Sequence, residues 1–94
     1  MNWVWDTVGY VISSKYRRTV IDQLSDGAST PTTLASTASI STTHVSRALE
    51  QLRDRGVVTL AVPEDQVKRR EYELTERGEA VERVIDESRL GADC

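Results

Sequence analysis

The segment from Ser41 to Gln51 gathers the side chains best suited to specific recognition of another polar molecule: Ser41, Thr42, Thr43, His44, Ser46, Arg47 and Gln51. On a helix turning about 100° per residue, Thr42, Thr43, Ser46, Arg47 and Glu50 fall opposite Val45, Ala48, Leu49 and Leu52. The outward face therefore offers hydroxyls, one guanidinium and the single carboxylate of Glu50. Arginine can hydrogen-bond guanine bidentately in the major groove, threonine can touch a thymine methyl, and serine can donate to bases or phosphates. Arg47 is the leading base-contact candidate, and His44 sits at the edge of the same face beside Gln51. His44 there either bonds a phosphate or base edge or is simply half exposed.

Two further groups suit phosphates. Lys68, Arg69 and Arg70 are three adjacent cations, offset in part by Glu64, Asp65 and Glu71. They predict a modest electrostatic contribution, of about two phosphates and hence a salt slope near -2. Thr30, Thr32 and Thr33 open a helix, where exposed amides favour an anion. Lys15, Arg17 and Arg18, with Tyr16 beside them, form another basic group. It reads equally as a support for flanking phosphates or as a solvated helix surface.

Catalysis is poorly served by this inventory. His44 is the one histidine, Cys94 the one cysteine and also the last residue, and no carboxylates cluster in a plausible cleft. Neither an acid–base or nucleophile constellation nor a metal site is expected, and no cofactor is implied. Cys94 reads as an inert end ahead of an intermolecular thiol.

The elements that must position these groups follow from periodicity and punctuation. Val4, Val8, Val11, Ile12, Tyr16, Val20, Ile21 and Leu24 recur at helical steps, predicting one long first helix over 4–25 with a break near Gly9. Asp26-Gly27 stops it, and Ser29-Thr30-Pro31 caps a short second helix to Ala38 that turns Leu34, Ala35 and Ala38 inward. A cap at Ser41 opens a third helix through Arg55, which Gly56 ends. Val57 to Val62 and Val67 to Leu74 read as strands joined by a turn at 63–66, with Tyr72 and Leu74 on one face. Thr75 caps a last helix over 76–90 with Ala80, Val81, Val84 and Ile85 inward.

That order predicts an α+β, mostly helical fold. It is a winged helix-turn-helix of three helices, a two-stranded β-hairpin wing and a C-terminal helix, arranged as a single domain over 1–94. The helix-turn-helix covers about 31–55 and the wing about 57–74. Such a frame lays its third helix in the major groove, so double-stranded DNA is the expected partner.

Charge placement is compatible with that partner despite the net charge of -3. Residues 1–75 carry nine basic and nine acidic side chains, whereas 76–94 carry three and six. The acidity therefore lies mostly in the tail. Two lysines against ten arginines, abundant threonine and an acidic excess are reminiscent of salt-loving archaea, although GC-rich coding also favours arginine. No apolar run suits a membrane span and no cleavable signal pattern is present, so a cytoplasmic protein is expected.

Four stretches carry a family likeness: "YVISSKYRRTVIDQL", "TPTTLASTASISTTHVSRALEQLRDRGVV", "VKRREYEL" and "LTERGEAV". Through them the chain resembles, along essentially its whole length, archaeal winged-helix transcriptional regulators of the broad MarR, ArsR and PadR kind, from a haloarchaeon or a haloarchaeal virus. The resemblance implies a sequence-specific regulator, a repressor ahead of an activator, with the reading role on Ser41 to Gln51 and the wing role on Lys68 to Arg70. Ser39 departs from the pattern, since many relatives place glycine in that turn, and it implies a strained or shifted turn. The resemblance also implies a homodimer through the terminal helices. Trp3 and Trp5, large apolar groups at a chain end, are its expected contacts together with Val84. No small-molecule effector is indicated. The alternative is a winged-helix protein–protein interaction module without sequence-specific DNA binding, which would require an apolar outer face on the third helix.

Overall fold

The predicted first helix is in fact two. Ser13 Oγ donates to the Tyr10 carbonyl at 2.8 Å, and Ser14, extended at φ -132°, ψ 124°, accepts from the Arg17 amide at 3.3 Å. Serine hydroxyls compete in this way with the helical ladder. The helix accordingly stops and restarts at the serine pair, giving α1 (Trp3–Ile12) and α2 (Lys15–Leu24). Gly9, the expected break point, lies inside α1 without interrupting it.

The remaining elements of this computed structural model, which describes residues 2–61 and 71–88, are α3 (Pro31–Ala38), α4 (Thr42–Asp54), β1 (Val58–Leu60), β2 (Tyr72–Leu74) and α5 (Glu76–Ser88). The helix starts carry side-chain caps, foreseen at Thr30, Ser41 and Thr75 and not at Asn2 or Ser14. Asn2 accepts from Val4, Thr30 from Thr33 ahead of Pro31, Ser41 from His44, and Thr75 from Gly78. A cap of this kind contributes about 1 kcal/mol over alanine. After α4, Gly56 takes φ 75°, a left-handed turn that leads the chain directly into β1.

The strands pair antiparallel in the register Val58↔Leu74, Thr59↔Glu73, Leu60↔Tyr72, and the Ala61 amide extends the ladder to the Glu71 carbonyl at 2.7 Å. The predicted hairpin is thus present in its described part. Its turn at 63–66, Val62 and residues 67–70 of its strands, with Lys68 to Arg70 among them, the last two residues of the predicted C-terminal helix and Cys94 lie outside the described residues. One pairing was not anticipated. Ser29 bridges Tyr72 on the side away from β1, through bonds of 3.0 and 2.8 Å, and so ties the entrance of α3 to the sheet.

The core lies where the helices converge on the sheet. Val45, Ala48, Leu49 and Leu52 of α4 are all buried, as their stripe requires, and meet Val20, Ile21 and Leu24 of α2 and Leu34 and Ala35 of α3. Burying each such large aliphatic side chain contributes about 1.5–3 kcal/mol. From the other side, Val81 of α5 is buried against Val8 and Val11 of α1, while Val84 and Ile85 are half-buried against the same core. One core thus joins two groups of elements, a head of α2, α3, α4 and sheet, and an arm of α1 packed on α5.

Acidic groups meet on the flank where α5 passes the end of α2. Partial burial raises the pKa of Glu82, and Asp86, Asp22 and Asp26 push it the same way against the lowering effect of Arg83. A carboxylate whose pKa is raised by folding binds protons more tightly in the native state, so stability falls as pH rises through that window. Glu82→Gln is accordingly expected to stabilise the protein near neutral pH. The gain should fade as pH falls toward and below the ordinary carboxylate value, and should shrink in high salt. Denaturant midpoints of both proteins across pH check this; a gain that persists in acid would assign the effect to packing.

Candidate nucleic-acid interface

The turn between α3 and α4 sets the angle of the outward helix. Ser39 adopts φ 58°, ψ 43°, the left-handed conformation, and the Ile40 amide reaches back to the Ala35 carbonyl at 3.1 Å while Ile40 packs on the core. This is a Schellman closure with its hydrophobic contact, made on serine rather than the usual glycine. The strain inferred for Ser39 is therefore present. A left-handed L-residue costs about 1–2 kcal/mol, whereas glycine gives up about 0.5–1 kcal/mol in backbone entropy. Ser39→Gly is expected to stabilise by up to about 1 kcal/mol, read from the denaturant midpoint, with α3 and α4 unmoved.

On the outer surface, Thr32 and Thr33 of α3, the Ser41 cap, and Thr42, Thr43, Ser46 and Arg47 of α4 are all exposed. Neither α3 nor α4 has an acidic residue in its first turn. The partial positive charge of both N-termini is thus unopposed by local carboxylates and favours an anion such as phosphate. Thr30 also hydrogen-bonds Thr33 Oγ1 at 2.9 Å, fixing one of the two threonine hydroxyls that flank this end.

His44 and Gln51 are placed differently from the other outward residues, since both are half-buried against α2. The imidazole stacks on the Tyr16 ring with centroids 4.2 Å apart and planes within 7°. Stacking occupies the ring face and leaves its two nitrogens at the edge, so any hydrogen bond to a ligand must be made in the plane of the ring. Gln51 Oε1 accepts from Arg17 Nη1 at 3.0 Å, which turns its carbonyl toward α2.

Arg17 itself is drawn inward rather than toward a ligand. Its Nε donates to the Tyr10 carbonyl at 2.9 Å and its Nη2 to Ser13 Oγ at 2.7 Å, and its guanidinium lies 3.9 Å from the Tyr10 ring centroid. Arg55, which caps the end of α4, stacks on the same ring at 3.8 Å. Of the basic group in α2, Arg17 is thereby committed to internal bonds, while Lys15 is exposed, 5.3 Å from the Tyr16 ring. Sequence reading missed Tyr10, Tyr16 and Arg55 as partners of this surface. The Tyr10–Arg17 pairing crosses the helix break, so no regular spacing announced it.

At the other end of the molecule, Trp3 and Trp5 are 39% and 54% exposed, the large apolar side chains most open to solvent among the described residues. The Arg77 guanidinium of α5 lies 4.7 Å from the Trp3 ring. Val84 faces the shared α1–α5 seam, half-buried. Among the described residues no group of histidine, cysteine and carboxylates could hold a metal, and no helix is long and apolar enough to cross a membrane.

A helix-turn-helix backed by a β-hairpin and flanked by three further helices, α1, α2 and α5, defines a winged-helix protein, α+β and mostly helical. The chain belongs to the HVO_A0261 N-terminal domain family, whose model matches residues 5–90. Solved structures of similar fold are winged-helix regulators. The reduced form of the transcriptional regulator YodB from B. subtilis shares 22% identity with TM-score 0.76, covering 90% of this chain and 84% of that one. The MarR family transcription regulator SP03579 shares 22% identity with TM-score 0.68, covering 82% of this chain and 54% of that one. ZitR of Lactococcus lactis, as a C30AH42A mutant, shares 17% identity with TM-score 0.70, covering 82% and 53% respectively. The chain thus spans about half the length of SP03579 and ZitR. No functionally curated protein matches it.

Proposed function

We propose that this protein is a sequence-specific, double-stranded-DNA-binding transcriptional regulator that works as a homodimer. In this reading α4 enters the major groove and the hairpin, with Lys68, Arg69 and Arg70, lies along the backbone or minor groove. The observation that carries it is the outer surface of the helix-turn-helix. A continuous exposed set of hydroxyls and Arg47 stands on a helix whose opposite stripe is fully buried, beside two helix N-termini free of acidic residues. A protein-interaction module would instead require apolar side chains there. The likeness to MarR-type regulators supports the reading.

The roles divide by chemistry. Arg47, Ser46, Thr42 and Thr43 read base edges; Ser41, Thr32 and Thr33 hold phosphates at the helix starts; His44 and Gln51 contact the DNA from the edge next to α2. Dimerisation falls to the arm, where exposed Trp3 and Trp5, with Val84, supply apolar surface that a second copy would cover. Repression is the favoured mode, because a domain that occupies DNA blocks competing proteins from the same site. The arginine-rich, acidic composition supports a salt-loving archaeal host, in whose cytoplasm binding must survive high salt.

Selecting bound duplexes from a random pool, then titrating the winner against scrambled DNA over a range of salt, tests the proposal. The expected winner is a palindrome with half-sites about one helical turn apart, bound by two chains. Loss of all binding in moderate salt with no sequence enriched would favour the interaction module.

A further inference from the structure

We infer that Arg17 is a positioning residue: it locks the arm to the DNA-reading helix and so fixes the half-site spacing the protein accepts. The inference rests on the dimeric DNA-binding reading above. It begins at the joint between α1 and α2, where the helical ladder ends and restarts over the two serines. α1 bears Trp3 and Trp5 and α2 packs on α4, so the chain passes from arm to head at this joint, and α5 joins the same two groups through the core.

One planar group spans the joint. Arg17 Nε bonds the Tyr10 carbonyl of α1, Nη2 bonds Ser13 Oγ in the joint, and Nη1 bonds Gln51 Oε1 of α4. Its face and that of Arg55 lie 3.9 and 3.8 Å from the Tyr10 ring centroid, which adds α4 a second time to the same latch. A guanidinium holds its donors in a fixed fork, so three simultaneous bonds and a stack define an angle rather than merely a contact. Lysine keeps the charge but neither the fork nor the plane.

In a dimer joined through the arms, the separation and rotation of the two α4 helices follow from the angle between arm and head. Each added base pair displaces the second half-site by about 3.4 Å and turns it by about a tenth of a helical turn. Tolerance of altered spacing therefore measures how firmly that angle is held. Base preference within a half-site depends on the outer face of α4 and is a separate readout.

The test compares wild type, Arg17→Met and Arg17→Lys on the selected operator and on versions with one or two base pairs inserted or removed at its centre. Wild type is expected to lose about tenfold or more per altered spacing, and both variants about threefold or less, with the base preference set by Arg47 unchanged. Equally sharp spacing in Arg17→Met overturns the inference while leaving the DNA-binding dimer intact. Full restoration by Arg17→Lys overturns it too, since charge alone would then suffice. Should Arg17→Met lose its helical circular dichroism, Arg55→Gln at an exposed position decides in its place: relaxed spacing supports the latch and unchanged spacing overturns it. A wild type that selects only single half-sites refutes the dimeric reading itself, and this inference with it.

Discussion

Gly78→Ala is expected to destabilise the protein by about 3 kcal/mol, although alanine is the better helix former by about 1 kcal/mol. Gly78 sits in the first turn of α5, where the "LTERG" segment crosses the entrance of β1. A Cβ there would overlap the carbonyl group of Val57 and come within 3.2 Å of Leu74 Cβ. The obstacle is backbone and cannot rotate away. That same carbonyl accepts the Thr75 amide at 3.0 Å, and Thr75 Oγ1 donates to the Gly56 carbonyl at 2.6 Å. Lifting α5 to make room would break both bonds and pull Val81 out of the core. Overlap therefore outweighs propensity. Gly9→Ala is the matched control: an added Cβ meets nothing within 4 Å in the middle of exposed α1 surface, and propensity alone predicts a gain of about 1 kcal/mol. At about 4–8 °C per kcal/mol, thermal scans should separate the two variants by roughly 15–30 °C. Shifts of the same sign in both would show that α5 does not depend on this close approach.

The contrast between these glycines also marks what a sequence can and cannot disclose. α3 and α4 were legible to the residue because their starts are written in local chemistry, a threonine before proline and a serine before two threonines, and their buried stripes follow helical spacing. The strained Ser39 was legible through the family resemblance, as the residue standing where many relatives place glycine. What failed was decided by partners distant in sequence. The helix break was placed at Gly9 on propensity, whereas the serine hydroxyls at 13 and 14 take up the backbone groups, and Arg17 bonds the Tyr10 carbonyl that the ending helix frees. The Ser29–Tyr72 bridge joins residues with no local strand signal around the first of them. In the candidate interface, the exposed set could be read from the helical wheel, but the turning of His44 and Gln51 toward α2 depends on Tyr16 and Arg17, which packing alone brings near. Periodicity identifies a face; it does not say which of its edge residues a neighbouring helix will engage.

Arg47→Ala is expected to relax sequence preference, weakening the best operator by about 1–3 kcal/mol, or roughly tenfold to a hundredfold, while affinity for scrambled DNA changes little. Arg47 is exposed on α4, one residue before the buried Ala48–Leu49 pair, so its replacement removes a guanidinium without opening the core. Alanine and arginine are close in helix propensity, so α4 should persist and unfolding cannot imitate the effect. Arg69→Ala provides the opposite pattern. A wing cation that holds a phosphate contributes to every sequence alike, and its loss should weaken all duplexes similarly and reduce the salt slope by about one. The comparison is sharpest in high salt, where the phosphate contribution is screened and base contacts carry a larger share of the remaining affinity. Under those conditions Arg47→Ala should show its tenfold-to-hundredfold loss of preference for the selected operator, whereas Arg69→Ala should keep most of it. If the two substitutions erode specificity equally, α4 is not the reader, and the hydroxyl-rich face must serve contacts that carry no sequence information.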